Sequence, residues 1–373
     1  MKISIVFVRA GGGHLSTAKA LSEELRSLYP DVEITLYDAF SESNRLIRTV
    51  IEKGYSTVSN YLPHIWSAIY LFSKPSAVAK LEIRTVSMFI KEKLRKYILR
   101  ERPEKIISVH FFLTKPIYEI IKEEKLNTKL LTIVTDPFTC HPIWFSCPEV
   151  DLVAFSDQVK SLAIKHSVAP NKITVLPTVV GGKFNTKLPD EKINELKRNL
   201  GFSPDKHVVL ITGGGEGLQK GEVFLRELAK TNLDIELAIV CGRNQKLKQK
   251  SEKIAKEYPN KRIAVYSFVD FIYELINISS VVITKGGPAT VMEVLLIGKP
   301  LIITSYLWEQ EKGNVEFVLQ NKLGLFETNP KKVAQIVSKL ISNEEELKTL
   351  SENIKKAEIK NGVTEVAKFI HEF

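Results

Sequence analysis

His14 is the residue best placed for acid–base chemistry in this 373-residue chain, and it ends the motif RAGGGH at residues 9–14. The motif follows an apolar run at residues 3–8 and precedes a helical pattern. The ordinary pKa of histidine lies near neutrality, so His14 is a candidate general base for a hydroxyl nucleophile. The alternative is a histidine at a helix start that only hydrogen-bonds its own loop. Gly12 and Gly13 would let a ligand approach the backbone N–H groups of the helix N-terminus.

A second polar cluster, TDPFTCHPIW at residues 135–144, follows another apolar run. There Asp136 would orient His14 or accept a proton itself, while His141 and Trp144 would shape an acceptor pocket. An aspartate before a proline is equally typical of a turn, and a buried tryptophan is typical of a core. Both interpretations of this cluster stay open.

Two glycine-rich turns in the second half of the chain, at residues 212–217 and 284–290, are typical of phosphate-binding loops. Each follows an apolar run and opens a helix, so its backbone N–H groups would meet a diphosphate. A Walker A loop is excluded because no Gly-Lys-Ser/Thr follows. The alternative is a pair of tight turns without a ligand. The candidate residues in these turns are Gly214, Gly215, Lys285 and Gly287.

Further polar side chains converge on the same half. Glu293 lies about one turn into the helix after residues 284–290, where it would accept both hydroxyls of a ribose; a solvated helix glutamate is the alternative. The motif EQEKGN at residues 309–314 falls in the next strand-to-helix turn. Convergence on one sheet edge makes each residue a stronger candidate than it is alone. The candidates in this motif are Gln310, Glu311 and Asn314.

Short apolar runs alternate with helix-period segments along the whole chain, which predicts βαβ units and parallel sheets. We expect strands at 3–8, 33–37, 105–109, 130–134, 152–155 and 173–176, and then at 207–211, 235–240, 263–266, 281–283, 301–303 and 324–326. The fold class is therefore α/β, with two Rossmann-like, doubly wound domains that face a cleft, since ligands collect at the carboxyl ends of such strands.

Gly181, Gly182 and Pro189 interrupt the pattern and mark the domain boundary. We predict a first domain at 1–183, which binds the acceptor and docks on a membrane, and a second at 184–357. The helix at 358–373 would pack back on the first domain.

The net charge of +10 is concentrated between Asn44 and Lys105, where thirteen basic residues stand against five acidic ones. Aromatic residues interleave with these cations, a mixture that suits a helix lying in the interface of an anionic membrane. The alternative is a helical hairpin with one core face and one solvated face. The candidate membrane residues are Tyr61, Trp66, Tyr70 and Phe72.

Other classes fit the sequence poorly. No run of apolar residues is long enough to span a bilayer. The three cysteines cannot form a disulfide framework, and Cys140, His141 and Cys147 lack the fourth ligand of a zinc site, so we expect a cytoplasmic protein without a bound metal. No helix-turn-helix, zinc-finger or RNA-recognition signature supports a nucleic-acid partner.

Together the motifs resemble those of diacylglycerol glycosyltransferases of the monogalactosyldiacylglycerol synthase and processive diacylglycerol glucosyltransferase type, which are related to the peptidoglycan glycosyltransferase of the lipid II pathway. The resemblance covers nearly the whole chain, in the order GGGH, TDPFTCHPIW, GGGEG, VCGRN, ITKGGPATVMEVLLIGKP and EQEKGNVEFV. It implies a GT-B-like fold and an inverting hexosyltransferase. The partners would be a UDP-hexose donor, a diacylglycerol acceptor and an anionic surface of the cell membrane, with no further cofactor.

The resemblance also implies roles for residues of this chain. Gly214 and Gly215 would lie near the diphosphate, Arg243 and Phe268 around the nucleotide, Glu293 on the ribose, Gln310 and Glu311 on the sugar, and Asn314 near the diphosphate. His14 would be the base, with Asp136 as the second choice. Relatives usually have Pro-Gly where this chain has Trp308-Glu309, so the choice between galactose and glucose stays open. A nucleotide-sugar 2-epimerase and a transferase with another lipid acceptor remain alternative functions.

Overall fold

The computed structural model of the protein describes residues 1–9, 12–40, 71–72 and 76–373, apart from the side chains of residues 76, 77 and 79–82. The described chain divides into two compact units. The first comprises Met1–Gly182, Leu307–Gly313 and Asn361–Phe373, and the second comprises Lys183–Tyr306 and Asn314–Lys360. The order of elements in the sequence predicts that residues 307–313 belong to the second domain, whereas their contacts place them in the first unit.

The first unit contains a six-stranded parallel sheet in the order β2-β1-β3-β4-β5-β6. Its strands are β1 (Lys2–Phe7), β2 (Glu33–Asp38), β3 (Lys105–Ser108), β4 (Lys129–Ile133), β5 (Asp151–Ala154) and β6 (Ile173–Val175). The strand order reverses between β1 and β3. In doubly wound sheets this reversal opens a crevice at the carboxyl ends of the two strands, where ligands bind.

Helices cover both faces of this sheet: α1 (Gly13–Leu28), α2 (Ser76–Glu101), α3 (Phe111–Glu123) and α4 (Asp157–Lys165). Successive side chains of a strand point to opposite faces. Accordingly Ile3 and Ile5 join the core under α1, whereas Val6 joins the core under α2 and α3. Burial on both faces explains why the strands read as nearly continuous apolar runs.

The second unit repeats this architecture with the order β12-β11-β10-β7-β8-β9. Its strands are β7 (His207–Thr212), β8 (Ile235–Val240), β9 (Ile263–Tyr266), β10 (Val281–Thr284), β11 (Leu301–Ile303) and β12 (Gly324–Phe326). The helices that follow in the chain are α5 (Asp190–Asn199), α6 (Gly221–Ala229), α7 (Gln245–Glu257), α8 (Ile272–Ile278), α9 (Pro288–Ile297), α10 (Lys312–Gln320), α11 (Pro330–Ser342) and α12 (Glu344–Lys356). Here the strand order reverses between β7 and β10, which is the Rossmann order.

The last helix, α13 (Val363–Glu372), belongs to the first unit and packs its apolar face against α1. Asn361 holds the turn before it, because its Oδ1 accepts from the N–H of Val180 at 3.1 Å and from that of Val363 at 3.1 Å. Lys105 donates to the carbonyls of Ile370 and His371, which belong to the last turn of α13 and have no partner within the helix.

All twelve predicted strands form within one or two residues of the expected bounds, and the α/β class with two Rossmann-like sheets is confirmed. Among the described helices, none combines the length and the apolar character needed to span a bilayer.

Candidate active site

His14 lies in the first turn of α1, at the carboxyl end of β1. Its Nδ1 is 2.9 Å from the carbonyl oxygen of Val109 and 2.9 Å from Oγ1 of Thr135. A carbonyl oxygen can only accept, so Nδ1 carries the proton and Nε2 keeps its lone pair. No described residue hydrogen-bonds this Nε2. The loops after β1, β3 and β4 thus orient a free imidazole nitrogen.

Burial lowers the pKa of His14 to about 4, and the hydrogen bond to Val109 opposes this shift. The imidazole is therefore neutral at neutral pH, which is the state that can accept a proton. Three rings lie around the imidazole of His14. The distance between ring centroids is 4.5 Å to His110, 6.1 Å to Trp144 and 6.4 Å to Phe111.

Sequence reasoning missed His110. It follows β3 directly, as the RAGGGH motif follows β1, and the two strands flank the reversal of strand order. Position at the carboxyl end of a central strand was the available signal. No glycine or recognisable motif marks His110 in the sequence.

Asp136 is buried in the loop after β4, but it does not orient His14. Its Oδ2 accepts a hydrogen bond from Nε1 of Trp144 at 2.8 Å, and the side chain of Gln310 also donates to it. The prediction that Asp136 would orient His14 is therefore wrong; the carbonyl of Val109 does so. Burial raises the pKa of Asp136 to about 6, while its two hydrogen bonds oppose that rise and the charge of Glu311 adds to it.

The loop at residues 307–313 packs against the loop that carries Asp136. Oγ1 of Thr139 donates to the carbonyl of Gln310 at 2.8 Å and accepts from the N–H of Gly313 at 3.1 Å. A Cβ on Gly313 would lie 2.7 Å from Cβ of Phe138, so only glycine fits there. The buried Glu311 turns back on its own loop, where its Oε2 accepts from the N–H of Leu307 at 2.8 Å.

The other predicted acceptor residues divide into two kinds. Nδ1 of His141 accepts from the N–H of Ile143 at 3.1 Å and caps the short 3-10 turn Pro142–Phe145, and Trp144 is 2% exposed within the core. Both have structural partners. An added Cβ on Gly12 or Gly13, by contrast, would meet no atom of the described residues within 4 Å.

In the second unit, the glycine loop after β7 interlocks with the loop after β8. Gly214 has φ +75° and Gly242 has φ +57°, a region that favours glycine. A Cβ on Gly242 would lie 2.3 Å from the carbonyl oxygen of Gly215, and that same oxygen accepts from the N–H of Arg243 at 2.9 Å. The guanidinium of Arg243 stacks 4.5 Å from the ring centroid of Phe268, which is 55% exposed.

The turn after β10 lies beside this loop, across the reversal of strand order. It contains Lys285 and Gly287, and it opens α9 with no described side chain capping the helix N–H groups. Nδ2 of Asn314 donates to the carbonyl of Gly286 at 2.7 Å, whereas its buried Oδ1 has no partner among the described residues. The uncapped N–H groups of α9 and the unpartnered Oδ1 of Asn314 therefore lie at the same turn.

Glu293, one turn into α9, is half-buried and forms no hydrogen bond or ion pair with any described residue. Burial raises the pKa of this carboxyl to about 7, and the positive charge of Lys183 opposes the rise. A Cβ on Gly214 would lie 3.8 Å from Oγ1 of Thr290 in the preceding turn of the same helix. The glycine loop and the helix that carries Glu293 therefore adjoin, as predicted from sequence.

Three of the predicted membrane residues, Tyr61, Trp66 and Tyr70, lie outside the described residues. Phe72 is described and is 77% exposed. Within the described ranges, no three His, Cys, Asp or Glu side chains cluster in a way that would hold a metal ion.

Comparison with known proteins shows which family the chain resembles. The model of the monogalactosyldiacylglycerol (MGDG) synthase family matches residues 14–180, and that of the glycosyltransferase family 28 C-terminal domain matches residues 208–368. The chloroplastic monogalactosyldiacylglycerol synthase of Spinacia oleracea is 29% identical over 363 residues, covering 94% of this chain and 68% of that protein.

Solved structures share the fold at low identity. MurG of Acinetobacter baumannii superposes with a TM-score of 0.63 at 13% identity and covers 100% of both chains. The UDP-GlcNAc 2-epimerase of Neisseria meningitidis, bound to UDP-GlcNAc, gives 0.61 at 13% identity over 100% of this chain and 99% of its own. The two matches, one to each half of the chain, make this a GT-B glycosyltransferase that is similar to the monogalactosyldiacylglycerol synthases.

Proposed function

We propose that this enzyme transfers a hexose, galactose or glucose, from a UDP-hexose to the free hydroxyl of diacylglycerol, with inversion of the anomeric carbon. The name of its relatives, monogalactosyldiacylglycerol synthase, supports the glycolipid product. The observation that carries the proposal is the neutral His14, whose protonated Nδ1 is tied to Val109 and whose Nε2 is free.

The donor is proposed to bind at the second sheet, where the order of strands reverses. Glu293 supports this assignment, because a half-buried carboxylate without a protein partner can accept both hydroxyls of a ribose. Arg243 stacked on the exposed ring of Phe268 offers a flat surface for a nucleotide base. Gly214, Gly215, Gly287 and the free Oδ1 of Asn314 surround the space assigned to the diphosphate and the groups next to it.

In the proposed reaction, the acceptor hydroxyl oxygen attacks the anomeric carbon while the bond to the UDP oxygen breaks. His14 Nε2 takes the hydroxyl proton, and the Nδ1–H bond to Val109 stabilises the resulting imidazolium. The negative charge that develops on UDP is stabilised by N–H groups of the glycine turns, by the N-terminus of α9 and by Lys285. Gln310 and Glu311 remain the residues proposed for the sugar.

The acceptor lies in a membrane, so we further propose a cytoplasmic enzyme that docks peripherally on an anionic membrane surface through the segment that includes Tyr61, Trp66, Tyr70 and Phe72. The high exposure of Phe72 supports this. Helix α2 adds Met88 and Phe89, which are 78% and 52% exposed.

Sugar transfer from labelled UDP-hexoses to diacylglycerol in mixed micelles tests the proposal. Wild type should form a lipid-soluble product, and His14→Ala should reduce turnover by about 100-fold or more with donor affinity intact. His166→Asn, a change at a half-buried histidine that follows α4 and stacks on Phe145, should behave as wild type. A changed sugar formed from the donor without lipid would instead indicate a nucleotide-sugar 2-epimerase. UDP-hexose binding without any lipid product would reject diacylglycerol.

A further inference from the structure

His110 is a second buried histidine beside His14, and its protonation can be read from its contacts. It is 2% exposed and precedes α3, where its Nδ1 accepts a hydrogen bond from the N–H of Phe112 at 3.3 Å. An N–H can only donate, so Nδ1 is unprotonated. The neutral ring then carries its proton on Nε2.

The ring is neutral because burial lowers the pKa of His110 well below its ordinary value, and His14 lowers it further. Its contacts with His14, Phe111 and Phe112 are ring contacts, and no described residue accepts a hydrogen bond from Nε2. Among the described residues, the fully buried polar atoms that lack a partner do not include this Nε2, so its N–H is accessible and can donate to an oxygen of a ligand.

The two histidines therefore present complementary atoms. His14 offers a lone pair on Nε2, and His110, with its ring centroid 4.5 Å away, offers an N–H on Nε2. A lone hydroxyl needs only the first of these. An acceptor that carries a hydroxyl and, on the adjacent carbon, an ester supplies an oxygen for each.

We infer that His110 is an acceptor-binding residue whose Nε2–H donates to the carbonyl oxygen of the ester next to the reacting hydroxyl. This inference rests on the proposed function, since it takes diacylglycerol as the acceptor. It makes His110 a determinant of specificity for acyl esters over ethers. An ether oxygen has no carbonyl to receive this hydrogen bond.

His110→Asn isolates this role, because asparagine is a strong N-cap and keeps an oxygen for the N–H of Phe112 while it removes the Nε2–H. With diacylglycerol, the variant should show a KM for acceptor raised about tenfold, against an unchanged kcat and unchanged UDP-hexose affinity. With the dialkylglycerol ether of the same chain length, wild type should already show the higher KM. His110→Asn should raise it no further. His166→Asn is the matched control on both acceptors.

The outcomes separate the possible failures. Equal losses on ester and ether acceptors would assign His110 a structural role only, and unchanged kinetics on diacylglycerol would exclude it from the acceptor site; either overturns the inference while the proposed function stands. A wild-type enzyme that binds UDP-hexose but transfers no sugar to diacylglycerol would overturn the proposed function, and this inference with it.

Discussion

His14 and Asp136 are two buried acid–base candidates in the first unit, and their titration ranges differ. The pKa of His14 is about 4 and that of Asp136 about 6. If His14 is the base, kcat stays high as pH falls through 6 and declines only near 4, where the imidazole becomes protonated. If Asp136 is the base, activity declines near pH 6. The pH profile of kcat between 4 and 8 therefore distinguishes them.

We expect no decline near pH 6, and Asp136→Asn should leave the shape of the profile unchanged, since an asparagine oxygen can still accept from Trp144. A decline near pH 6 that disappears in Asp136→Asn would make Asp136 the base instead. Folding must be monitored in parallel by circular dichroism. Unfolded chains protonate His14 near its ordinary pKa of 6.5 and the folded chain near 4, so this residue makes the fold less stable as pH falls between those values.

Glu293 predicts a pH dependence of donor affinity in the same direction as that of His14 but at higher pH, near 7. Its carboxyl has a pKa of about 7, and the ionised form is the one that accepts from both ribose hydroxyls. UDP-hexose affinity should therefore rise as pH increases from 6 to 8. Isothermal titration calorimetry with UDP-hexose measures this, and the donor does not titrate in that range.

Lys183 allows a second test of the ionisation of the Glu293 carboxyl. Its Nζ donates to the carbonyl of Asp270 at 3.0 Å and lies 5.8 Å from the ring centroid of Tyr273, on the helix that packs against α9. Lys183→Gln removes the charge that favours ionised Glu293, so the rise in affinity should shift to higher pH. Lys348→Gln, on the exposed surface of α12, should leave the profile unchanged. Affinity independent of pH in wild type would remove Glu293 from the ribose site.

The sequence predicted individual residues where strand ends and glycine turns marked them, and failed where tertiary packing decided. His14 and Glu293 follow strands in motifs with glycines, and both lie at the expected sheet edges. The partner of Asp136 could not be predicted, because Trp144 and Gln310 reach it through the packing of two loops. His110 lacked a motif.

At the scale of elements, the interlocked loops after β7 and β8 leave little room for any added side chain. A Cβ on Gly242 would meet the carbonyl of Gly215 at 2.3 Å, and backbone cannot move aside as a flexible side chain can. A non-glycine residue in the left-handed region costs about 1–2 kcal/mol of stability. Gly242→Ala should lower the free energy of unfolding by more than this and abolish UDP-hexose binding. Urea unfolding and calorimetry measure the two effects.

Gly298 is the control for backbone strain, since its φ is +86° but its nearest neighbour would be the flexible end of Lys187 at 3.5 Å. Gly298→Ala should cost about 1–2 kcal/mol and bind UDP-hexose normally. Equal effects of the two substitutions would show that strain, rather than the close approach of the loops, limits position 242.

Strands were predictable because parallel strands buried on both faces form apolar runs of four to six residues bounded by turns. The position of the loop at 307–313 could not be predicted from the sequence, although the strand β11 before it and the helix α10 after it could. It follows β11 in the second unit, so sequence order assigns it there, whereas Thr139 and the missing side chain of Gly313 fix it in the first.

At the scale of the whole molecule, the net charge of +10 and the exposed apolar residues of one region support the proposal that the protein docks on a membrane surface. Helix α2 buries Ile90, Leu94 and Ile98 in the core of the first unit, and its solvated face presents Met88 and Phe89 together with the exposed cations Arg84 and Lys96. The described part of the segment therefore has one face buried in the core, as the helical-hairpin alternative expects. Its outer face carries both apolar and basic side chains, as the membrane interpretation expects.

The joint change Met88→Ser and Phe89→Ser tests whether that outer face binds lipid. Inserting these side chains into an interface would contribute up to about 1.5–3 kcal/mol each, and each nearby cation about 1 kcal/mol on anionic lipid. Vesicles of phosphatidylglycerol and phosphatidylcholine should therefore bind wild type in a salt-sensitive way and the variant at least tenfold more weakly, as measured by co-sedimentation. Because the substituted side chains are exposed and lie in the first unit, UDP-hexose affinity should not change. Val223→Ser, a change at an exposed apolar residue of α6, is the control. An equal loss of vesicle binding in this control would exclude α2 as the docking face. Binding of the double variant at the wild-type level would exclude it as well.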